Sequence, residues 1–220
     1  MITRQPSPAT QLAAKGLMGV GTAIIGLRLT WLSLSGGFLP ILKQLVIVLL
    51  ALILGKLAGR LLHLQKASNR LGQYARARLT KTRPGDAQRF SDGFNTCALL
   101  FCAGPLAVIG AVSDGVSGYW QPLAIKAVMD GLATMGFVSI FGWGAMLSAL
   151  PVFAYQGTIT LCVQHLAPFL RNHALLDSVN ATGGMLVFCV ALVILELKKI
   201  ELADYLPSLA FAPLITWLWR

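Results

Sequence analysis

Lys126 and Asp130 stand four residues apart within a strongly apolar stretch. On a helix such positions share a face, so ammonium and carboxylate can neutralise one another. Ionisable groups are costly at membrane depth and mark solute or ion pathways there, although Lys126 could also snorkel to a nearby boundary. Asp114 and Gly115 close the preceding apolar run toward the same boundary. The spacing therefore predicts that Asp114, Lys126 and Asp130 form one charged cluster.

A second group of residues could expose backbone. Pro151 interrupts another apolar run and is followed by Tyr155, Gln156, Gly157 and Thr158. Proline removes a donor and frees a carbonyl, and a following glycine lets the chain unwind, so Pro151 to Thr158 is expected to be a broken helix; a kink packed on its neighbours is the alternative. Asn180, Thr182, Gly183 and Gly184 combine a polar cap with paired glycines, the ingredients of a half-helix N-terminus whose N–H groups face an anion. The candidate pathway is thus Asp114, Lys126 and Asp130 for charge, with Gln156, Gly157, Thr182 and Gly183 for polar side chains and open backbone. Glu196, close to Lys198 and Lys199, reads as an interfacial ion pair, with a proton relay as the other reading.

Other chemistries find little support. Cys97, Cys102, Cys162 and Cys189 all fall in apolar runs without ligand spacing, and His63, His165 and His173 form no HExxH-type pair. No metal or other cofactor is expected. Neither a nucleophile elbow nor a phosphate-binding glycine loop occurs, so no catalytic residue is assigned and the chain is not read as an enzyme.

The elements that must position these residues are membrane helices. The 220 residues are 56% hydrophobic and only 12% charged, with mean hydropathy +0.71, whereas a soluble domain carries about 25% charge. About 20 apolar residues cross a bilayer. On that measure about seven segments qualify, near 12–34, 39–63, 93–113, 122–141, 143–164, 179–197 and 203–219. The fold class is therefore all-α, a polytopic bundle forming a single integral membrane domain over 1–220.

The net charge of +10 reads as topology and gives no nucleic-acid face. Between the second and third segments, residues 64–92 carry Lys66, Arg70, Arg76, Arg78, Lys81, Arg83 and Arg89 against Asp86 and Asp92. The positive-inside bias makes this loop cytoplasmic, puts Lys15, Lys198 and Lys199 on the same side, and turns the C-terminus outward. Within it Leu64, Ala67, Leu71, Tyr74 and Leu79 recur at near-helical spacing, as in an interfacial helix on anionic lipid, and Arg83 to Asp86 should form the turn that ends it.

Ala51, Gly55 and Gly59 form a small-residue stripe suited to close helix packing, with a homo-oligomer contact as the other reading. Gly16 to Leu42 faintly echoes Gly183 to Leu209, which in this topology would make two inverted copies. Phe90, Gly93 and Phe94, then Leu100 to Gly104, Ile109 to Ala111, Asp114 with Gly115, Lys126, Asp130 with Gly131, Tyr155 to Gly157, Ala181 to Gly184, and Leu206 with Pro207 follow in order along residues 90–210. This series resembles the YqgA/YdfK-like family of bacterial membrane proteins, catalogued as a domain of unknown function. The resemblance implies that family members begin with an additional Gly- and Asn-containing apolar segment, for which no counterpart is expected in this chain. The resemblance implies an inner-membrane location and a suspected transport role without a substrate. The expectation is a secondary transporter or channel for a small solute or ion; a membrane scaffold or sensor, whose basic loop binds lipid or a partner protein, is the alternative.

Overall fold

The computed structural model describes residues 8–34, 36–70, 86–102, 104–170 and 173–219, and all regular structure among them is helical. The helices are α1 Pro8–Leu32, α2 Phe38–Leu61, α3 Asp86–Cys102, α4 Pro105–Ser117, α5 Gln121–Phe141, α6 Gly144–Leu147, α7 Ala149–Leu166, α8 His173–Ile194 and α9 Ser208–Leu218. Short 3-10 turns, Ala167–Leu170 and Leu202–Tyr205, precede α8 and α9. Among the described residues three helices are long and apolar enough to cross a membrane: Phe38–Leu61, Gly144–Leu166 and Ala174–Ile194. Phe90–Cys102 and Pro105–Ser117 make a fourth if this pair, bent by 61°, is one span; Gly16–Leu32 and Leu202–Leu218 are shorter apolar helices.

The predicted segment 93–113 is thus two helices. Proline at the start of α4 has no N–H to continue the ladder of α3, and Gly104 before it is extended, at ψ 132°. The expected break over Pro151–Thr158 is corrected by the structure: those residues lie inside α7. The interruption falls before the proline, at Ser148, because Pro151 cannot donate to the Leu147 carbonyl four residues earlier. Likewise Asn180 to Gly184 are no helix N-terminus, since α8 starts at His173 and runs through them.

Glycine contacts fix how the helices pair. A Cβ on Gly26 would meet the Gly184 carbonyl and the Phe188 backbone, and one on Gly19 the Leu195 side chain. Thr30 Oγ1 bonds the carbonyls of Gly26 and Ala181 at 3.1 and 3.3 Å. These pairs make α1 and α8 antiparallel and nearly backbone to backbone, as small residues allow in lipid. The same holds for the stripe on α2. A Cβ on Gly55 would strike Ser208, and one on Gly59 the Asp204 carbonyl, so the stripe is used within the chain. Lys43 Nζ donates to the Trp219 carbonyl at 2.7 Å at one end of this pair. At the other end Gln65 N–H donates to Asp204 Oδ1 at 2.8 Å, Ala203 N–H donates to Gln65 Oε1 at 3.0 Å, and Arg60 pairs with Glu201 at 3.4 Å.

These contacts bring Arg60, Lys66 and Arg70 to the end of the molecule where Lys198 and Lys199 lie, and Gly19 against Leu195 puts the start of α1 there too. Residues 64–70 are helical, with Asp204 capping their first turn. Leu71, Tyr74, Arg76, Arg78, Leu79, Lys81 and the turn at Arg83 lie outside the described residues. The two segments that echo each other in sequence pack differently: α8 lies along α9, whereas α1 and α2 barely touch. One core joins Leu106 and Ile109 of α4 to Leu186, Val187 and Val190 of α8, and a second gathers Cys97 and Phe101 of α3 with Phe141 and Ala145.

Candidate functional site

The second core leaves a gap beside it. α5 and α7 both pack on α3, yet they make no contact layer with each other. The space between them is a groove of about 1220 Å³. α5 supplies Asp130, Gly131, Thr134 and Met135 to its lining, the α6 region Trp143, Met146 and Ser148, α7 Val152, Phe153 and Gln156, and α3 the ring of Phe101 as floor. The turn closing one end depends on Gly142 at φ +70°, a left-handed conformation that favours glycine. Pro151 shapes the other wall by interrupting the helix at Ser148, whose hydroxyl bonds the Ala145 carbonyl at 2.6 Å.

Charge is arranged asymmetrically in this groove. Lys126 and Asp130 form an ion pair one helical turn apart on α5, through Asp130 Oδ2. The side chain of Lys126 is 6% exposed and that of Asp130 24%, and only the aspartate lines the groove. Lys126 therefore sits behind the carboxylate, with Nζ 5.9 Å from the centre of the Phe101 ring. Among the described residues no donor reaches Asp130 Oδ1. Thr134 adds a hydroxyl, which bonds the Asp130 backbone carbonyl at 2.7 Å.

Of the residues singled out from sequence, Lys126, Asp130 and Gln156 meet here. Gln156 lines the groove from α7, and its Nε2 is buried without a hydrogen-bond partner. Gly157 is beside it, with open space where a Cβ would stand. Asp114 does not join the pair: it is half-buried on α4, forms no ion pair among the described residues, and gives its backbone carbonyl to Gly118 N–H. Thr182 and Gly183 also lie elsewhere. The Thr182 hydroxyl returns to the Ser178 carbonyl at 2.7 Å, and Gly183 faces Ser113 of α4 and Leu209 of α9. Among the described residues no group of three or more His, Cys, Asp or Glu side chains could hold a metal ion.

Sequence reasoning missed Phe101, Thr134, Trp143, Met146 and Phe153. Singly these read as four ordinary apolar positions and one threonine within an apolar run, but two signals were present: the Gly104–Pro105 dipeptide and the glycines around Trp143 mark breaks in apolar runs. Breaks at both places open the gap that the five residues line.

A family profile described as "Protein of unknown function (DUF554)" matches residues 2–217. The "Uncharacterized membrane protein YdfK" of Bacillus subtilis (strain 168) is 29% identical over 178 residues, covering 80% of this chain and 72% of the relative. The "Uncharacterized protein YqgA" of Escherichia coli (strain K12) is 27% identical over 201 residues, covering 90% of this chain and 83% of the relative. No solved structure matches the chain.

Proposed function

We propose that this chain, which belongs to the DUF554 family and is an integral membrane protein, acts as a secondary transporter or channel for a small solute or ion. The observation that carries the reading is the groove: a space of about 1220 Å³ inside a helical membrane body, with the aspartate of a lysine–aspartate pair in its lining. A buried charge pair gives no clear gain in stability over well-packed apolar residues, and one placed at the wall of a cavity suits a polar passenger. The break between α3 and α4 adds backbone ends at the same level, since Phe101 in the last turn of α3 lies over Lys126. Energy then comes from an ion or proton gradient.

The protein resides in a bacterial inner membrane with residues 64–92 cytoplasmic. Support comes from the positive-inside bias together with the gathering of Arg60, Lys66, Arg70, Lys198 and Lys199 at one end of the helices. A scaffold or sensor role is the second reading, favoured by one observation: the Gln65 and Arg60 contacts fasten the start of the basic segment to residues 201–204.

The test is a thermal-shift panel on the purified protein with amino acids, carboxylates, nucleosides and cations, followed by flux in proteoliposomes. A ligand at 100 times its Kd stabilises the protein by about 2.7 kcal/mol. Transport predicts a stabilising solute whose flux disappears in the Lys126→Met/Asp130→Leu double variant. A folded protein that no solute stabilises and that carries no flux refutes it, and points to the basic segment instead.

A further inference from the structure

The groove's walls and its single outward-facing charge together specify the sign and chemistry of a ligand. Resting on the transport reading, we propose that the groove binds a lipophilic organic cation through the Asp130 carboxylate, with entry sideways from the bilayer.

The sign follows from position. Lys126 is the inner member of the pair and does not line the groove, so an anion entering from outside meets Asp130 first and is repelled. A cation meets the same carboxylate with Oδ1 free of donors among the described residues, while Lys126 keeps Oδ2. The organic character follows from the remaining lining. A small inorganic cation needs several oxygen ligands to replace its water, and the groove offers one carboxylate, the hydroxyls of Thr134 and Ser148, already donated to the carbonyls of Asp130 and Ala145, and a glutamine. The other lining side chains include Phe101, Met135, Trp143, Met146 and Phe153. Aromatic faces and thioethers attract a diffuse organic cation and shed no tightly held water.

Entry from the side follows from exposure. Phe153 is 80%, Trp143 74% and Met135 71% exposed at the rim, and α5 and α7 do not close over the groove. Such a rim is apolar enough to face lipid tails, and the volume matches a drug-sized molecule better than an ion.

The experiment measures binding of tetraphenylphosphonium to the full chain in detergent, with tetraphenylborate as the probe of equal shape and opposite charge. The wild type should bind the cation saturably and at least tenfold more tightly than the anion. Asp130→Asn should weaken the cation at least tenfold. Gly131→Leu should do the same by filling the groove, since a Cβ there meets nothing within 4 Å and the side chain starts into open space; size-exclusion profiles confirm that both variants are folded. Equal binding of the two probes, or cation binding unchanged in a folded Asp130→Asn or Gly131→Leu, overturns the proposal. If the cation does not bind but another solute does, through Asp130, this inference falls and the transport reading stands. Cation binding that depends on Asp130, without flux in proteoliposomes, leaves the site and removes transport.

Discussion

The contact of Gly59 with Asp204 turns one methyl group into a measurable loss. In Gly59→Ala the new Cβ meets the Asp204 carbonyl, carbon and Cα, all backbone atoms that no rotamer change can move. α2 must withdraw from residues 201–205, and two hydrogen bonds stretch with it: Gln65 N–H to Asp204 Oδ1 at 2.8 Å and Ala203 N–H to Gln65 Oε1 at 3.0 Å. A bond to a charged acceptor is worth about 1.5–3 kcal/mol and a neutral one about 1 kcal/mol. The Arg60 to Glu201 pair is more than half exposed and counts for nothing here. Against this loss of about 3 kcal/mol stands a helix-propensity gain of about 1 kcal/mol for alanine over glycine. The net expectation is a destabilisation of about 2 kcal/mol. The matched control is Gly131→Ala, where the Cβ enters open space and only the gain of about 1 kcal/mol remains. Reversible unfolding in mixed micelles, followed by circular dichroism, reads both variants against wild type. A Gly59→Ala protein as stable as Gly131→Ala would refute the reasoning, because the two substitutions differ only in what the methyl group meets.

Asp130→Leu alone leaves Lys126 buried without its counter-charge and should cost about 3–5 kcal/mol, while Lys126→Met/Asp130→Leu recovers most of it; the same micelle unfolding measures both, and equal losses would deny that the pair is neutralised internally. Gln65→Ala removes the Ala203 N–H bond to Gln65 Oε1 but leaves the backbone N–H of residue 65 on Asp204 Oδ1, so it should destabilise by about 1 kcal/mol, with amide exchange accelerating at Ala203 and not at residue 65. Pro151→Ala restores a donor for the Leu147 carbonyl, so spin labels on α6 and α7 should report a straighter pair and a narrower groove; unchanged distances would mean that Ser148 and not the proline sets the break.

The sequence made the helical class, the shared face of Lys126 and Asp130, and the packing use of Ala51, Gly55 and Gly59 legible, because each rests on local spacing. It misplaced what depends on a partner. Pro151 announces an interrupted ladder, yet on which side the chain yields is settled by the preceding turn at Gly142 and by Ala145 packing under Phe101 and Phe141. Gly183 and Gly184 look like an unwinding signal in one dimension. In three, Gly184 is where Thr30 and the α1 backbone come closest, a demand written on a helix some 150 residues earlier. The groove was invisible for the same reason: it is a missing contact between α5 and α7, and periodicity records only which face is apolar.

The fastening of α2 at both ends has a consequence for biogenesis. Its partners, Trp219 at one end and Glu201 to Asp204 at the other, are separated from it by 176 and about 140 residues of chain. A ribosome adding roughly 5–20 residues per second leaves α2 in the membrane for many seconds before the surface that fits its glycine stripe has been made. During that interval Gly55 and Gly59 present bare backbone to lipid or to any neighbouring helix, so α2, made long before its partners, is among the last helices to be secured. Insertion factors and quality-control proteases have their opportunity in that interval, and a chain cut short before residue 201 would present the stripe to them permanently.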